Sequence, residues 1–227
     1  MNTKISAVAL AAAIVGGGWW VAGQGTAPDA TIALPGAASA QEATDTETAS
    51  ETAEITEMTL GAEDAPVEVI EYASYTCPHC AAFHEDVFPQ MKEDYIDTGK
   101  VRFTYREVYF DKYGMWASLV ARCGGEERFF GITDMIYDTQ GSWSRAGSDA
   151  AIADELRKIG RMAGLDNEQL ESCLTDAGQL RGLVEWYQAN AEEHNVRATP
   201  TFVIDGETYS NMSYAEFSDI LDERLGE

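Results

Sequence analysis

Basic side chains are scarce in this chain. Fifteen Lys and Arg stand against thirty-nine Asp and Glu, a formal net charge of −24 in 227 residues. Between Lys4 and Lys92 there is no Lys or Arg, while thirteen acids fall there. Phosphate binding needs a basic face, so this balance argues against a nucleic-acid partner. Four cysteines are too few for a disulfide-dense scaffold, and 20 Gly with 6 Pro are too few for a collagen-like chain. What is present is 45% hydrophobic residues, enough for one sizeable domain or one domain with an insertion. Residues 92–227 carry 26 acids and 14 bases, so half the net charge lies in the first 91 residues. Much of the acidity therefore belongs to a tether rather than to the fold.

The one long apolar run is at the start. Residues 5–28 contain no charge and follow Lys4, as in a secretory h-region. Ala38-Ser39-Ala40 offers small residues for cleavage near Ala40. The alternative is a retained anchor of residues 5–25, about the 20 residues a bilayer requires, with Trp19 and Trp20 at the interface. On either reading residues 1–40 are a signal peptide or membrane anchor, and the remainder is expected outside the cytoplasm. Residues 41–57 hold six acids, five Thr and one large aliphatic residue, Ile55. Such a segment buries too little surface to offset ordering entropy, so a disordered acidic spacer is expected.

From Met58 the pattern is that of a folded domain, 58–227. The run Pro66–Tyr72 is apolar and β-branched, and residues 101–105 alternate; both predict strands. Between them, residues 78–97 have helical spacing interrupted by Pro89, which should kink or break the helix. Strand, helix and strand over about forty residues imply a parallel βαβ unit. Residues 112–194 read as helix, with Ser148 and Asp166 as N-caps. Asp205-Gly206 separates two further strands as a hairpin turn. Ser213 with Glu216 forms a capping box for a last helix. The predicted class is α/β: a mixed sheet flanked by helices, with an all-helical insertion.

Cys77-Pro78-His79-Cys80 follows the first strand and opens a helix. Unpaired N–H groups and the helix dipole place partial positive charge there, which stabilises a thiolate. Cys77 is the expected nucleophile and Cys80, one turn in, the resolving thiol. Pro78 is pre-set for the first turn, and His79 adds a donor beside the sulfur. All of these effects depress the thiol pKa, which makes the disulfide form an oxidant. The competing uses of this spacing fit less well. A zinc site lacks its second half, even with His84 as a third ligand. Haem attachment needs His where Ala81 stands. A structural bridge across four residues closes almost no loop.

The tetrad, Thr199-Pro200 before a later strand, and Glu71 six residues before Cys77 together resemble the DsbA family of periplasmic thiol oxidases, a thioredoxin fold with a helical insertion. The resemblance implies a cis Pro200 packed against the active-site disulfide, where Thr199 and Pro200 would pair with substrate. It also implies a carboxylate, Glu71, beneath the site that could exchange a proton with Cys80. DsbA itself is strongly oxidising with a low-pKa dithiol, and the same is expected here. Its partners would be unfolded exported proteins bearing thiols and a quinone-linked membrane oxidase that regenerates the disulfide. No metal or organic cofactor is indicated, and nothing suggests a dimerisation domain, so a monomer is expected.

Thr199 stands where the best-known members have Val, and isomerase relatives also use Thr, which leaves a reductase or isomerase open. A non-enzymic, tethered peptide-binding chaperone is the third reading. Cys123 and Cys173, in the insertion, are expected to pair in an oxidising compartment; the alternative is two buried free thiols. His84 reads as a helix-surface residue, and Trp116, Trp143 and Trp186 as core.

Overall fold

Seven residues in a row, Val67–Ala73, form β2, and all but Val67's neighbour Glu68 are buried. A strand buried on both faces belongs at the centre of a sheet. β2 pairs in parallel with β3 (Val101–Glu107), Val69 opposite Phe103 and Glu71 opposite Tyr105. On its other side it pairs antiparallel with β4 (Thr201–Ile204). An edge strand that sequence patterning misses, β1 (Met58–Leu60), lies antiparallel to β3. β5 (Glu207–Ser210) closes the far edge through a turn in which Asp205 and Gly206 both have positive φ, 46° and 84°. The order is β1-β3-β2-β4-β5. This is the expected mixed α/β sheet of a thioredoxin fold.

The computed structural model describes residues 52–227. The expected signal peptide or anchor, residues 1–40, and residues 41–51 of the spacer lie outside the described residues. Among the described residues no helix is long and apolar enough to cross a membrane.

Strand periodicity sorts the side chains of β2. Val67, Val69 and Ala73 enter the main core with Phe83, Phe103, Phe202 and Phe217. Ile70 and Tyr72 enter a smaller cluster with Val108 and Val203. Glu71 therefore points into the main core. The crossover from β2 to β3 is broken in two. α1 (Pro78–Asp86) ends at Val87, and α2 (Phe88–Met91) begins with Pro89 in its first turn, where a missing N–H leaves no bond unmade. A π-helical turn, Lys92–Ile96, finishes it.

The insertion between β3 and β4 consists of α3 (Lys112–Cys123), α4 (Glu126–Asp138), α5 (Gln140–Trp143), α6 (Asp149–Met162), α7 (Asn167–Leu174) and α8 (Ala177–Glu193). Ser148 and Asp166 cap α6 and α7, and Asp111 and Asp176 cap α3 and α8. α9 (Tyr214–Leu225) opens with the Ser213–Glu216 capping box.

One boundary is corrected. The expected spacer ran to residue 57, but residues 52–57 lie on the fold. Ala53 N–H donates to the Gly178 carbonyl at 3.3 Å. Ile55 packs against Tyr109, Leu119 and Leu183. Arg122 donates to the Thr56 carbonyl, and Glu57 pairs with Arg106 at 2.7 Å. Composition counts one aliphatic residue here, whereas packing depends on the partners that residue finds 54 to 128 positions away.

Candidate active site

The loop Ser74-Tyr75-Thr76 leaves β2 and delivers Cys77 to the N-cap of α1, with Pro78 in the first turn. Each loop residue is tied down. Cys77 N–H donates to the Ser74 carbonyl at 3.0 Å. The Thr76 hydroxyl donates to Asp111 Oδ2 at 2.7 Å, while Asp111 Oδ1 caps α3. The Tyr75 hydroxyl meets Thr133 Oγ1 at 2.8 Å. Gln140 Nε2 donates to the carbonyls of both Tyr75 and Cys77, each at 2.9 Å. An amide NH₂ has two protons, and both are used to join the helical insertion to the loop that carries the nucleophile.

The two sulfurs differ. Cys77 is 8% exposed and Cys80 is 0% exposed, so an incoming thiol reaches only Cys77. Both are free thiols here. The Cys77 thiol is drawn down from near 9 to about 5, first by the hydrogen bond from the Cys80 thiol. Burial opposes this, and Thr199 and the backbone N–H groups of Cys80 and His79 add to the pull. Cys80 is pushed far above the ordinary thiol range, chiefly by burial, then by its bond to Cys77 and the charge of Glu71. Pro78 and His79 are exposed at the rim. The Cys77 thiol lies 3.4 Å from the Thr199 carbonyl, and the Thr199–Pro200 peptide is cis. Thus Cys77, Cys80, Thr199 and Pro200 share one corner of the fold.

Beneath them Glu71 is fully buried. His84, expected on the helix surface, is instead buried and bonded through Nε2 to Glu71 Oε2 at 2.9 Å. Its ring stacks on Tyr137, centroids 4.4 Å apart. Helical spacing explains the correction, because His84 is four residues after Cys80 and shares its inward face. That i, i+4 relation could have revealed it. Gln140 and Thr133 leave no such local signal, since their partners are 58 to 65 residues away; Asp111 reads locally only as a helix cap, not as the partner of Thr76. Cys123 and Cys173 lie apart from this corner and are joined as a disulfide across a separation of 50 residues. Among the described residues, no three His, Cys, Asp or Glu converge as metal ligands.

Known proteins resemble this chain in sequence and fold. The family model described as Thioredoxin matches residues 53–223. A Rickettsia bellii protein, provisionally named a protein-disulfide oxidoreductase, is 33% identical over 172 residues, covering 75% of this chain and 65% of that protein. The chain thus spans slightly under two thirds of that relative. Wolbachia pipientis alpha-DsbA1 superposes with a TM-score of 0.71 at 26% identity, over 77% of this chain and 94% of that one. A protein-disulfide isomerase from Novosphingobium aromaticivorans gives 0.67 at 26% identity, over 75% and 98%.

Proposed function

The chain belongs to the thioredoxin family and carries the DsbA-like form of its fold, and from that premise we propose that it is an exported thiol:disulfide oxidase. The observation that carries this reading is the split between its sulfurs. A Cys77 thiol drawn to about 5 is a thiolate at neutral pH. Stabilising that thiolate stabilises the reduced enzyme, which makes the disulfide form readily reduced.

A substrate thiolate attacks Cys77 Sγ in the Cys77–Cys80 disulfide. The bond between the two enzyme sulfurs breaks, and Cys80 leaves as a thiolate that takes a proton. Glu71, buried beside it, is the group that exchanges this proton. A second substrate thiolate then attacks the substrate sulfur of the mixed disulfide, releasing Cys77 as thiolate and leaving the substrate oxidised. An extended substrate reaching Cys77 runs beside the Thr199 carbonyl, 3.4 Å from the sulfur, where backbone pairing can hold it.

The substrates are unfolded exported proteins with free thiols, and a quinone-linked membrane oxidase restores the disulfide. The protein works as a monomer in the periplasm, with the dithiol as its redox group. Export is supported by the uncharged stretch of residues 5–28.

A reductase or isomerase is the second reading, supported by Thr199 and by the likeness to the Novosphingobium protein-disulfide isomerase. The redox potential of Cys77–Cys80 in a glutathione buffer separates the two. A value near the roughly −120 mV of a strong oxidant is expected, and one near −270 mV would defeat the oxidase reading.

A further inference from the structure

Cys80 is fully buried, yet it gains or loses a proton each time the Cys77–Cys80 bond breaks or forms. Glu71 beside it is equally buried; its Oε2 is bonded to His84 Nε2, and its Oε1 is buried without a hydrogen bond. The His84 side chain is only 2% exposed, and its second ring nitrogen, Nδ1, is buried without a hydrogen-bond partner. The same ring lines a cleft of about 240 Å³ whose other walls are Phe88, Pro89, Lys92, Asp134 and Asp138. Asp134 and Asp138 are exposed, so the cleft opens to solvent.

From this juxtaposition we propose that His84 is the outer member of a proton relay, Cys80–Glu71–His84, that exchanges the Cys80 proton with solvent through the cleft between α1–α2 and α4. The relay rests on the reading of Glu71 as proton partner of Cys80. When the active-site disulfide is broken, Glu71 gives the proton on Oε1 to the Cys80 thiolate. It takes another at Oε2 from His84 Nε2–H as His84 accepts a proton at Nδ1 from the cleft, so the ring passes a proton through without becoming an anion. One proton passes from solvent to Cys80, and every step reverses when the disulfide re-forms.

The groups facing His84 suit this task. Tyr137 stacks on it from α4 and Tyr105 approaches from β3. Their hydroxyls bond each other at 2.7 Å, and burial raises both phenols well above the ordinary range. Neither then competes as a base near neutral pH. Glu71 from β2 bonds the ring, and Asp134 and Asp138 from α4 line the cleft beside it. Lys92, in the π-turn, also lines the cleft and is held by Asp97 at 2.6 Å.

Closure of a glutathione mixed disulfide at Cys77 tests the relay. There Cys80 loses its proton, its thiolate attacks Cys77 Sγ, the Cys77–glutathione bond breaks, and glutathione leaves as a thiolate that takes a proton from water. The rate is followed by quenched-flow mass spectrometry across about pH 6–8, where His titrates. His84→Gln is expected to close roughly a hundredfold more slowly at pH 7, with a rate that rises in proportion to hydroxide. In His84→Ala, imidazole added to the buffer should restore the rate, and pyrazole, of the same shape but not basic at neutral pH, should not. This comparison is made within one protein, so it stands even if the substitution loosens packing around Tyr137. Wild-type rate and pH profile in His84→Gln, or equal rescue by pyrazole, overturns the relay. Glu71→Gln is measured alongside. If it closes at the wild-type rate, the Glu71 reading fails and the relay with it; if it is slow while His84→Gln is not, the relay alone fails.

Discussion

Cys77 and Cys80 lie one helical turn apart, and the difference in their acidity has a measurable electrochemical consequence. With Cys77 near 5 and Cys80 far above the ordinary range, reduction takes up one proton per two electrons above about pH 5 and two below it. The potential should therefore fall by about 30 mV per pH unit above that point and about 60 mV below it. Measurement against a glutathione couple at several pH values checks this, and a single slope of about 60 mV from pH 4 to 8 contradicts it. The sign for stability follows from the same depression. The thiolate's contribution to the reduced fold is fully present above the ordinary thiol value near 9. It shrinks as pH falls from there and is lost on passing about 5. Much at this scale was legible in sequence: the tetrad, the Thr199-Pro200 corner and Glu71. His84 was misplaced because a lone polar residue on a helix reads as solvent-facing until the element covering it, here α4 with Tyr137, is known. Gln140 was invisible because its two acceptors lie 63 and 65 residues away.

Elements were read from sequence where their signals are local. The hairpin turn, the caps of α6, α7 and α9, and the parallel βαβ crossover all follow from short-range patterns. β1 was missed because three residues carry too little alternation to register. The packed segment 52–57 was missed for a different reason: its place depends on a gap left by α8. A Cβ at Gly182 would lie 2.3 Å from the Ala53 carbonyl oxygen and 3.1 Å from Ile55 Cδ1. Gly182→Ala must therefore push residues 53–55 away, and two effects compete. Alanine improves the helix by about 1 kcal/mol. Exposing Ile55 costs about 2 kcal/mol, and losing the Arg122–Thr56 bond costs roughly another 1. The losses win. We expect the full chain to lose about 1–2 kcal/mol in denaturant titration and residues 52–57 to become open to protease. In a chain lacking 52–57 the same substitution should be neutral or stabilising, and destabilisation there would show that Gly182 matters for some other contact.

At the scale of the whole molecule, the helical insertion both holds the site and needs holding itself. α3 begins at Asp111, bonded to Thr76 in the active-site loop, and ends at Cys123 in the disulfide. Its twelve residues span about 18 Å, so one helix joins the reactive corner to the bridge. Hydrophobic periodicity predicted helices across this region but not which of them would touch, since six amphipathic segments can pack in many orders. The two cysteines fix one such contact, α3 with α7. Their loop of 50 residues limits the unfolded chain by up to roughly 4 kcal/mol in the loop-entropy view, with about 2–4 typical of measured bridges. Against a total stability of about 5–15 kcal/mol for a domain, that is a large share. Cys123→Ala with Cys173→Ala should lower the unfolding free energy by about 2–4 kcal/mol in guanidinium titration. The alkylation rate of Cys77 at pH 7 then checks that the corner is still assembled. Replacing both cysteines leaves no lone thiol to react with the Cys77–Cys80 disulfide, so the measured loss belongs to the bridge. An unfolding free energy within about 0.5 kcal/mol of the unaltered protein, the range of ordinary surface changes, would mean that packing alone holds α7 against α3.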